Sequence, residues 1–397
     1  MADRAPQSLS AAPPVAALGF LESGPEDGGR RQFLTPRQLM WLRFKRNRMA
    51  LWGAGVLLLM YLLAGFAPMV SPYLAQTRFP DHLYLPPRKI HVREADGGAF
   101  RRPFVYAVQL EVDMENFQRV FVEDPTASTP VRFWTRGDPY ELWGLIPLDR
   151  HLLGIDDPAA YGPLFLLGGD KFGRDLLARI LQGARISLTL GLVGVAIVLI
   201  IGLLLGGLSG LLGGIVDNVV QRIIEFVRSI PTIPLWMGLA AALPPEMPPV
   251  HRYFAITVIV SFVGWTSLAR VVRGKFLATR EEDFIMAARA ASATEFYLIW
   301  AHLVPSFMSY VLVHLTLAIP SMILAETALS YLGLGLRSPT ISWGVLLGDA
   351  QQLVEIAVHP WILWPAAFVV LTVLAFNFVG DGLRDAADPY AQAGSGP

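Results

Sequence analysis

The stretch ISLTLGLVGVAIVLIIGLLLGGLSGLL, residues 186–212, carries no charged side chain and is dense in Leu, Ile, Val and Gly. A run of that length and apolarity suits a helix crossing a hydrocarbon core of about 30 Å. The rest of the chain has the same character. Apolar residues make up 53% of it and charged residues 16%, a balance typical of membrane proteins rather than water-soluble enzymes. Working outward, further spans are expected over 49–70, 226–243, 253–272, 304–334 and 361–380. The run at 226–243 is interrupted at its start by Arg228, Pro231 and Pro234. Proline is tolerated inside a membrane helix when neighbours satisfy the freed carbonyls. The prolines at 244, 245, 248 and 249 mark a hairpin loop between the third and fourth spans. The fold class expected is an all-α polytopic membrane protein of about six transmembrane helices.

Basic residues in short flanks set orientation. Arg37, Arg43, Lys45, Arg46 and Arg48 precede the first span, and Arg270, Arg273, Lys275, Arg280 and Arg289 surround the segment after the fourth. Both ends of a six-span chain are then expected on the cytoplasmic side. The run at 49–70 exceeds the apolar core of a signal peptide, about 7–15 residues, so an uncleaved span is expected. Residues 1–35, rich in Pro, Ala, Gly and Ser, suit a disordered leader. Residues 36–70 form the basic flank and first span, and 176–389 a five-helix core with a cytoplasmic loop at about 273–302. Residues 390–397 form a tail. Between them, residues 71–175 are too charged for lipid and too long for a simple connection. Phe104, Tyr106, Val108, Leu110 and Val112 alternate with less apolar residues, and 120–122 adds a second β-like piece. The period is that of a half-buried strand, so a small β-containing external insertion between spans one and two is expected.

The chain lacks cysteine, which removes disulfides, thiolate nucleophiles and Cys-type zinc sites. The sequence has no GxxxxGK[ST], HExxH or GxSxG, and Gly274-Lys275 is followed by Phe276, so it supplies no phosphate loop. Neither an enzyme nor a cofactor or metal site is expected, and the zero net charge offers no field for nucleic acid. One cytoplasmic segment stands out. Thr279 and Glu282 have capping-box spacing, Glu281 and Asp283 suit a helix N-terminus, and the alanines at 287, 288, 290, 291 and 293 favour a helix with small side chains. One continuous helix over about 281–298 is expected. It is either a solvated connector or a surface that docks in another protein's groove.

The same segment, AARAASATEFYLIWAHLVP (287–305), resembles the cytoplasmic coupling loop of ABC importer permeases, with His302, Leu303 and Pro305 placed as in the peptide-type (dipeptide, oligopeptide and nickel) branch. GGDKFGRDLLARILQGARISL (168–188), ILAETALSYLGLG (323–335) with SPTISWG (338–344), and FNFVGDGLRDAADP (376–389) resemble other parts of that branch. FWTRGDPYELWGLIPLDRHLLG (133–154) is similar to an insertion in its microcin C and oligopeptide subgroup. Two departures stand in the coupling loop: Ser292 replaces a glycine and Met286 a glutamate. The resemblance implies the type I ABC importer permease fold in a bacterial inner membrane. It further implies a second permease subunit, separate ABC ATPase subunits, an extracytoplasmic binding protein, and peptides or peptide-like solutes as cargo.

On that reading Glu282, Asp283, Ala287, Ala288, Arg289, Ala291, Ser292 and Ala293 are expected to dock on the ATPase. Ionisable and polar side chains inside spans are candidates for the path or for helix interfaces: Glu326 first, then His314 and Asn377. Gly173, Arg174, Asp175 and Arg185 are expected to form a structural elbow before the second span, with Arg174 and Asp175 turned toward a partner permease. The alternative is a self-sufficient secondary transporter or channel. That class favours inverted repeats with broken helices and midplane charges, and this sequence has no clear internal repeat.

Overall fold

A computed structural model describes residues 36–93, 100–114, 118–279, 282–298 and 307–387. The leader expected over 1–35 and the tail over 390–397 lie outside them. The chain opens with α1 (Pro36–Arg46), α2 (Arg48–Gly65) and the short α3 (Ala67–Val70). Asn47 caps α2, its side chain accepting from the Ala50 amide at 3.1 Å. The run expected as one span over 49–70 is therefore broken at Phe66, with Pro68 in the first turn of α3.

Next comes β structure: β1 (His91–Arg93), β2 (Phe100–Asp113) and β3 (Gln118–Pro130) in an antiparallel sheet of order β1-β2-β3, and β4 (Arg132–Leu142) with β5 (Ile146–Gly154) as a separate hairpin. The strand expected around Phe104–Val112 is present, but its burial does not alternate. Phe104, Val105, Tyr106 and Ala107 are all buried, whereas Leu110 and Val112 are exposed. A bulge between Tyr106 and Ala107 breaks the period. The base of the β2–β3 hairpin is enclosed on both faces, near the core of Tyr73, Leu85, Leu164 and Phe165, and its far end extends clear. Buried Arg88 reinforces that base by donating to the carbonyls of Tyr106, Tyr161 and Pro163.

After α4 (Pro158–Tyr161) the membrane bundle resumes with α5 (Leu176–Leu212), α6 (Gly214–Ser229), α7 (Thr232–Ala241) and α8 (Pro249–Thr279). Then follow α9 (Asp283–Ala290), α10 (Glu295–Tyr297), α11 (Met308–Tyr331), α12 (Trp343–Asp349), α13 (Leu353–Val358) and α14 (Trp364–Ala387). Among the described residues, five helical stretches are long and apolar enough to span: α2, α5, α8, α11 and the stretch ending in α14. The sixth expected span is not one helix. Its apolar run is divided between α6 and α7, which meet at 86°. Ile230 is extended at the break, because a residue before proline is pushed out of the helical region. Asp217 on α6 accepts two bonds from the Arg273 guanidinium, each 2.5 Å, fastening that helix to α8.

Small residues set the helix contacts, as expected where lipid offers no hydrophobic drive for helix association. Gly202, Gly206 and Gly210 place one face of α5 against α8. A Cβ on Gly206 would lie 2.5 Å from the Ala269 carbonyl oxygen, and one on Gly202 2.8 Å from Leu268. Gly53 and Gly382 do the same between α2 and α14, meeting Ala375 and Ala50. Because backbone rather than a movable side chain fills the space beside Gly206, Gly206→Val is expected to cost about 1–3 kcal/mol, the range for overpacking. A lowered thermal midpoint of the detergent-purified protein checks it.

Candidate functional site

Two short helices replace the single one expected over 281–298. The Thr279 hydroxyl donates to Lys275 O in its own helix, 2.8 Å, and so does not cap the next. The Glu282 carbonyl opens α9 instead, accepting from the amides of Ile285 and Met286 at 3.0 and 3.1 Å. The helix stops at Ser292, whose φ is +60°. There the Ala293 amide donates to Ala288 O at 3.1 Å, the six-to-one bond of a Schellman ending. The usual glycine of that ending, and of the family's loop, is the residue that Ser292 replaces; the backbone still adopts the left-handed turn. Thr294 then opens α10, its hydroxyl accepting from Tyr297 N at 3.3 Å.

Burial sorts the expected docking residues into two faces. Ile285 and Leu298 are fully buried, and Ala288 and Ala293 are half-buried against the core. Glu282, Asp283, Met286, Ala287, Ala290, Ala291 and Ser292 are exposed. Ala288 and Ala293 thus face the bundle rather than outward. Phe296 and Tyr297 add exposed aromatic surface that the alanine pattern did not signal. Arg289 lies within α9; Glu281, His302, Leu303 and Pro305 lie outside the described residues.

Glu326 on α11 is fully buried. Its Oε1 accepts from Ser330 and Ser342 at 2.8 and 2.7 Å, and its Oε2 from Ser187 at 3.2 Å. Each hydroxyl in turn accepts a backbone amide: Leu336 N on Ser330, Val345 N on Ser342 and Trp343 N on Ser187. The carboxylate therefore organises three serines that hold α5, α11 and the N-terminus of α12 together. That is a helix interface, sealed from solvent. His314 on α11 and Asn377 on α14 are half-buried. Among the described residues, no hydrogen bond joins either to Glu326 or to the other.

The segment before α5 is a knot centred on Asp170. Its Oδ1 accepts from the amides of Phe172 and Arg174, and its Oδ2 from Arg174 Nε at 2.7 Å and from the Arg179 guanidinium. Asp349 of α12 closes the cluster through Lys171 at 3.2 Å and Arg179 at 3.5 Å. Gly173, at φ +67°, passes so close to Phe79 that no Cβ fits. Arg174 and Asp175 do not face outward: the first pairs with Asp170 and the second is fully buried. Arg185 sits half-buried on α5.

Asp175 caps α5 through the Leu177 amide at 3.1 Å, while its Oδ2 meets no donor among the described residues. Burial pushes its carboxyl up to about 7; the amides of Leu177 and Ala178 oppose that rise and nearby Asp170 adds to it.

The family described as "Binding-protein-dependent transport system inner membrane component" matches residues 199–391. The "N-terminal TM domain of oligopeptide transport permease C" matches 35–87. The oligopeptide transport system permease protein OppC of Bacillus subtilis is 36% identical over 240 residues, 60% of this chain and 75% of that one. This chain belongs to the binding-protein-dependent transport permeases. OppC of Escherichia coli K12 is 41% identical over 223 residues, covering 56% of this chain and 71% of its own. The dipeptide permease DppC of Alkalihalophilus pseudofirmus is 38% identical with the same coverage. Among solved structures, an inward-facing MetNI methionine ABC transporter matches with TM-score 0.40 and 21% identity, over 52% of this chain and 95% of that one. The permease is thus a multi-pass component of the inner membrane, not itself an enzyme.

Two outcomes are expected from these features. A carboxyl raised in the fold favours the native state while neutral; that contribution is whole below about pH 4 and is lost as pH climbs through about 7, a swing of about 4 kcal/mol. Asp175→Asn, which keeps a capping oxygen, should flatten the fall in thermal midpoint between pH 5 and pH 8. At Ser292, a left-handed backbone costs a non-glycine residue roughly 1–2 kcal/mol. Ser292→Gly should therefore raise amide-exchange protection across 283–298, and Ser292→Val should lower it.

Proposed function

We propose that this permease subunit carries peptides or peptide-like solutes inward, and that the outward surface of α9 and α10 is where an ATPase subunit drives it. Permeases of this family work with separate ATPase subunits, a second permease and a substrate-binding protein. The family membership argues against a self-driven transporter or channel. The peptide assignment is supported by the names of the oligopeptide and dipeptide relatives.

The coupling assignment rests on one observation. α9 and α10 expose small and aromatic side chains on one side while Ile285 and Leu298 anchor the other fully in the bundle. A surface held this way moves with the membrane helices rather than on a slack loop. Glu282 and Asp283 border it with negative charge, suited to a partner with a basic rim. On this reading the basic flank of α1 and α2 is cytoplasmic, both termini lie inside, and the β-rich insertion over 71–175 is external, on the binding protein's side. Glu326 acts as an interface residue, and His314 and Asn377 remain the polar candidates for lining the path.

Ala287→Asp is the sharpest test, because Ala287 is exposed and its change leaves the core intact. In a reconstituted complex, peptide uptake should drop at least about tenfold, the effect of about 1.4 kcal/mol lost at the interface, while the subunits still co-purify. Unchanged uptake and unchanged stimulation of ATP hydrolysis by the loaded binding protein would remove α9 from the coupling surface.

A further inference from the structure

The turn of the β4–β5 hairpin reads LWGLIPL, residues 142–148, without a charge, although the strands around it carry Arg132, Arg136, Asp138, Glu141, Asp149 and Arg150. Hairpin turns facing water are usually built from Gly, Asn and Asp. Here Trp143 and Gly144 occupy consecutive positions of positive φ, +56° and +71°, with the Leu145 amide donating to Leu142 O at 3.1 Å. Asparagine is the residue such a backbone favours at the first position, and a bulky residue there is an outlier. The sequence places tryptophan in that strained position for something other than the turn.

Its surroundings supply the reason. Trp143 Nε1 donates to Gly65 O at 3.0 Å, and its ring packs edge-on against Phe66 at 5.2 Å between centroids. Gly65 is the last residue of α2. At 1.5 Å per residue that 18-residue span rises about 27 Å, close to the hydrocarbon thickness of about 30 Å. Gly65 and the indole bonded to it therefore stand at the edge of the hydrocarbon, the depth at which tryptophan belts form. The hairpin is fixed at that depth by two more ties: His151 Nδ1 donates to Ser71 O at 2.8 Å, and the Thr77 hydroxyl donates to Asp138 at 2.5 Å. Leu145, 81% exposed, and Ile146 project from the same turn. Leu58 and Leu62 of α2 are exposed as well.

We infer that the β4–β5 turn is a membrane anchor: Trp143, Leu145 and Ile146 seat in the lipid headgroup–acyl boundary beside the end of α2, holding the β-rich insertion against the bilayer surface. This rests on the reading of α2 as a span. The occupant is the lipid itself, since the turn is bonded to the end of a membrane-spanning helix, at the depth where tryptophans gather at the bilayer interface.

The absence of cysteine gives a direct test. Leu145→Cys, Met114→Cys at the end of the β2–β3 hairpin and Leu58→Cys within α2 would each carry a nitroxide. The assembled transporter, other thiols removed, is placed in lipid nanodiscs and the label's accessibility to oxygen and to a water-soluble nickel chelate measured. The oxygen-to-nickel ratio at 145 should be several-fold above that at 114 and approach that at 58. A ratio at 145 equal to that at 114, with 58 still lipid-like, overturns the anchor and leaves the span intact. Loss of access to both reagents at 145 also overturns it, in favour of a protein contact. A water-like ratio at 58 would instead sink the membrane reading of α2 on which the inference stands.

Discussion

The carboxylate of Asp170 accepts from two backbone amides and two guanidinium groups at the point where the insertion, α5 and α12 converge. Taking a charge out of water costs several kcal/mol unless its lone pairs are met, and here donors from both the chain before α5 and α5 itself meet them. The backbone around it is equally committed. Tyr84 N donates to Asp170 O, Phe79 N to Gly173 O, and the Trp361 indole to Gly169 O. The β-rich insertion cannot tilt relative to the bundle without breaking this set together. The insertion and the bundle are joined by this polar set together with the ties of the β4–β5 hairpin to Gly65 and Ser71.

A second carboxylate is solved by different chemistry. Glu326 is satisfied by three hydroxyls, each of which passes the interaction on to a backbone amide of the segment after α11. Asp170 uses cations near the end of a span, and Glu326 uses neutral donors inside the bundle, where guanidinium groups would themselves need burial. Non-helical backbone at that depth is viable only when its polar groups find protein partners, and the serine relay provides them. An intramembrane acid expected either in the path or at a helix interface is here the keystone of a loop.

The contrast shows what the sequence made readable. Long, mostly uncharged apolar runs announced α5, α8, α11 and α14, since lipid enforces a simple rule on length and charge. Pro231 and Pro234 were read as tolerated within one span, but the chain breaks there at 86°, and the Asp217–Arg273 pair that fastens α6 to α8 joins residues 56 apart that the sequence does not connect. Alanine-rich composition pointed to a helix over 281–298, but not to its ending near Ser292, where the backbone turns left-handed. The inward turn of Ala288 was hidden, because alanine suits either face. Alternation in β2 failed where the hairpin base is enclosed on both sides. Arg174 and Asp175 were misplaced because their partners, Asp170 and the buried start of α5, declare themselves only in three dimensions.

The glycines at 202, 206 and 210 bring the backbone of α5 against α8, and α8 leads directly toward α9. At 37 residues, α5 extends roughly 55 Å, well beyond the roughly 30 Å hydrocarbon layer, so one end of the pair stands outside the lipid. Sliding along such a seam is obstructed: Gly206 and Gly210 face the backbone of Ala269 and Arg273 and Gly202 faces Leu268, so a slip of less than a full turn, about 5.4 Å, presses the larger side chains between the notches against that surface. Displacement between registers must lift the helices apart. A push on the end outside the lipid would therefore tilt the two helices as one body instead of sliding one along the other.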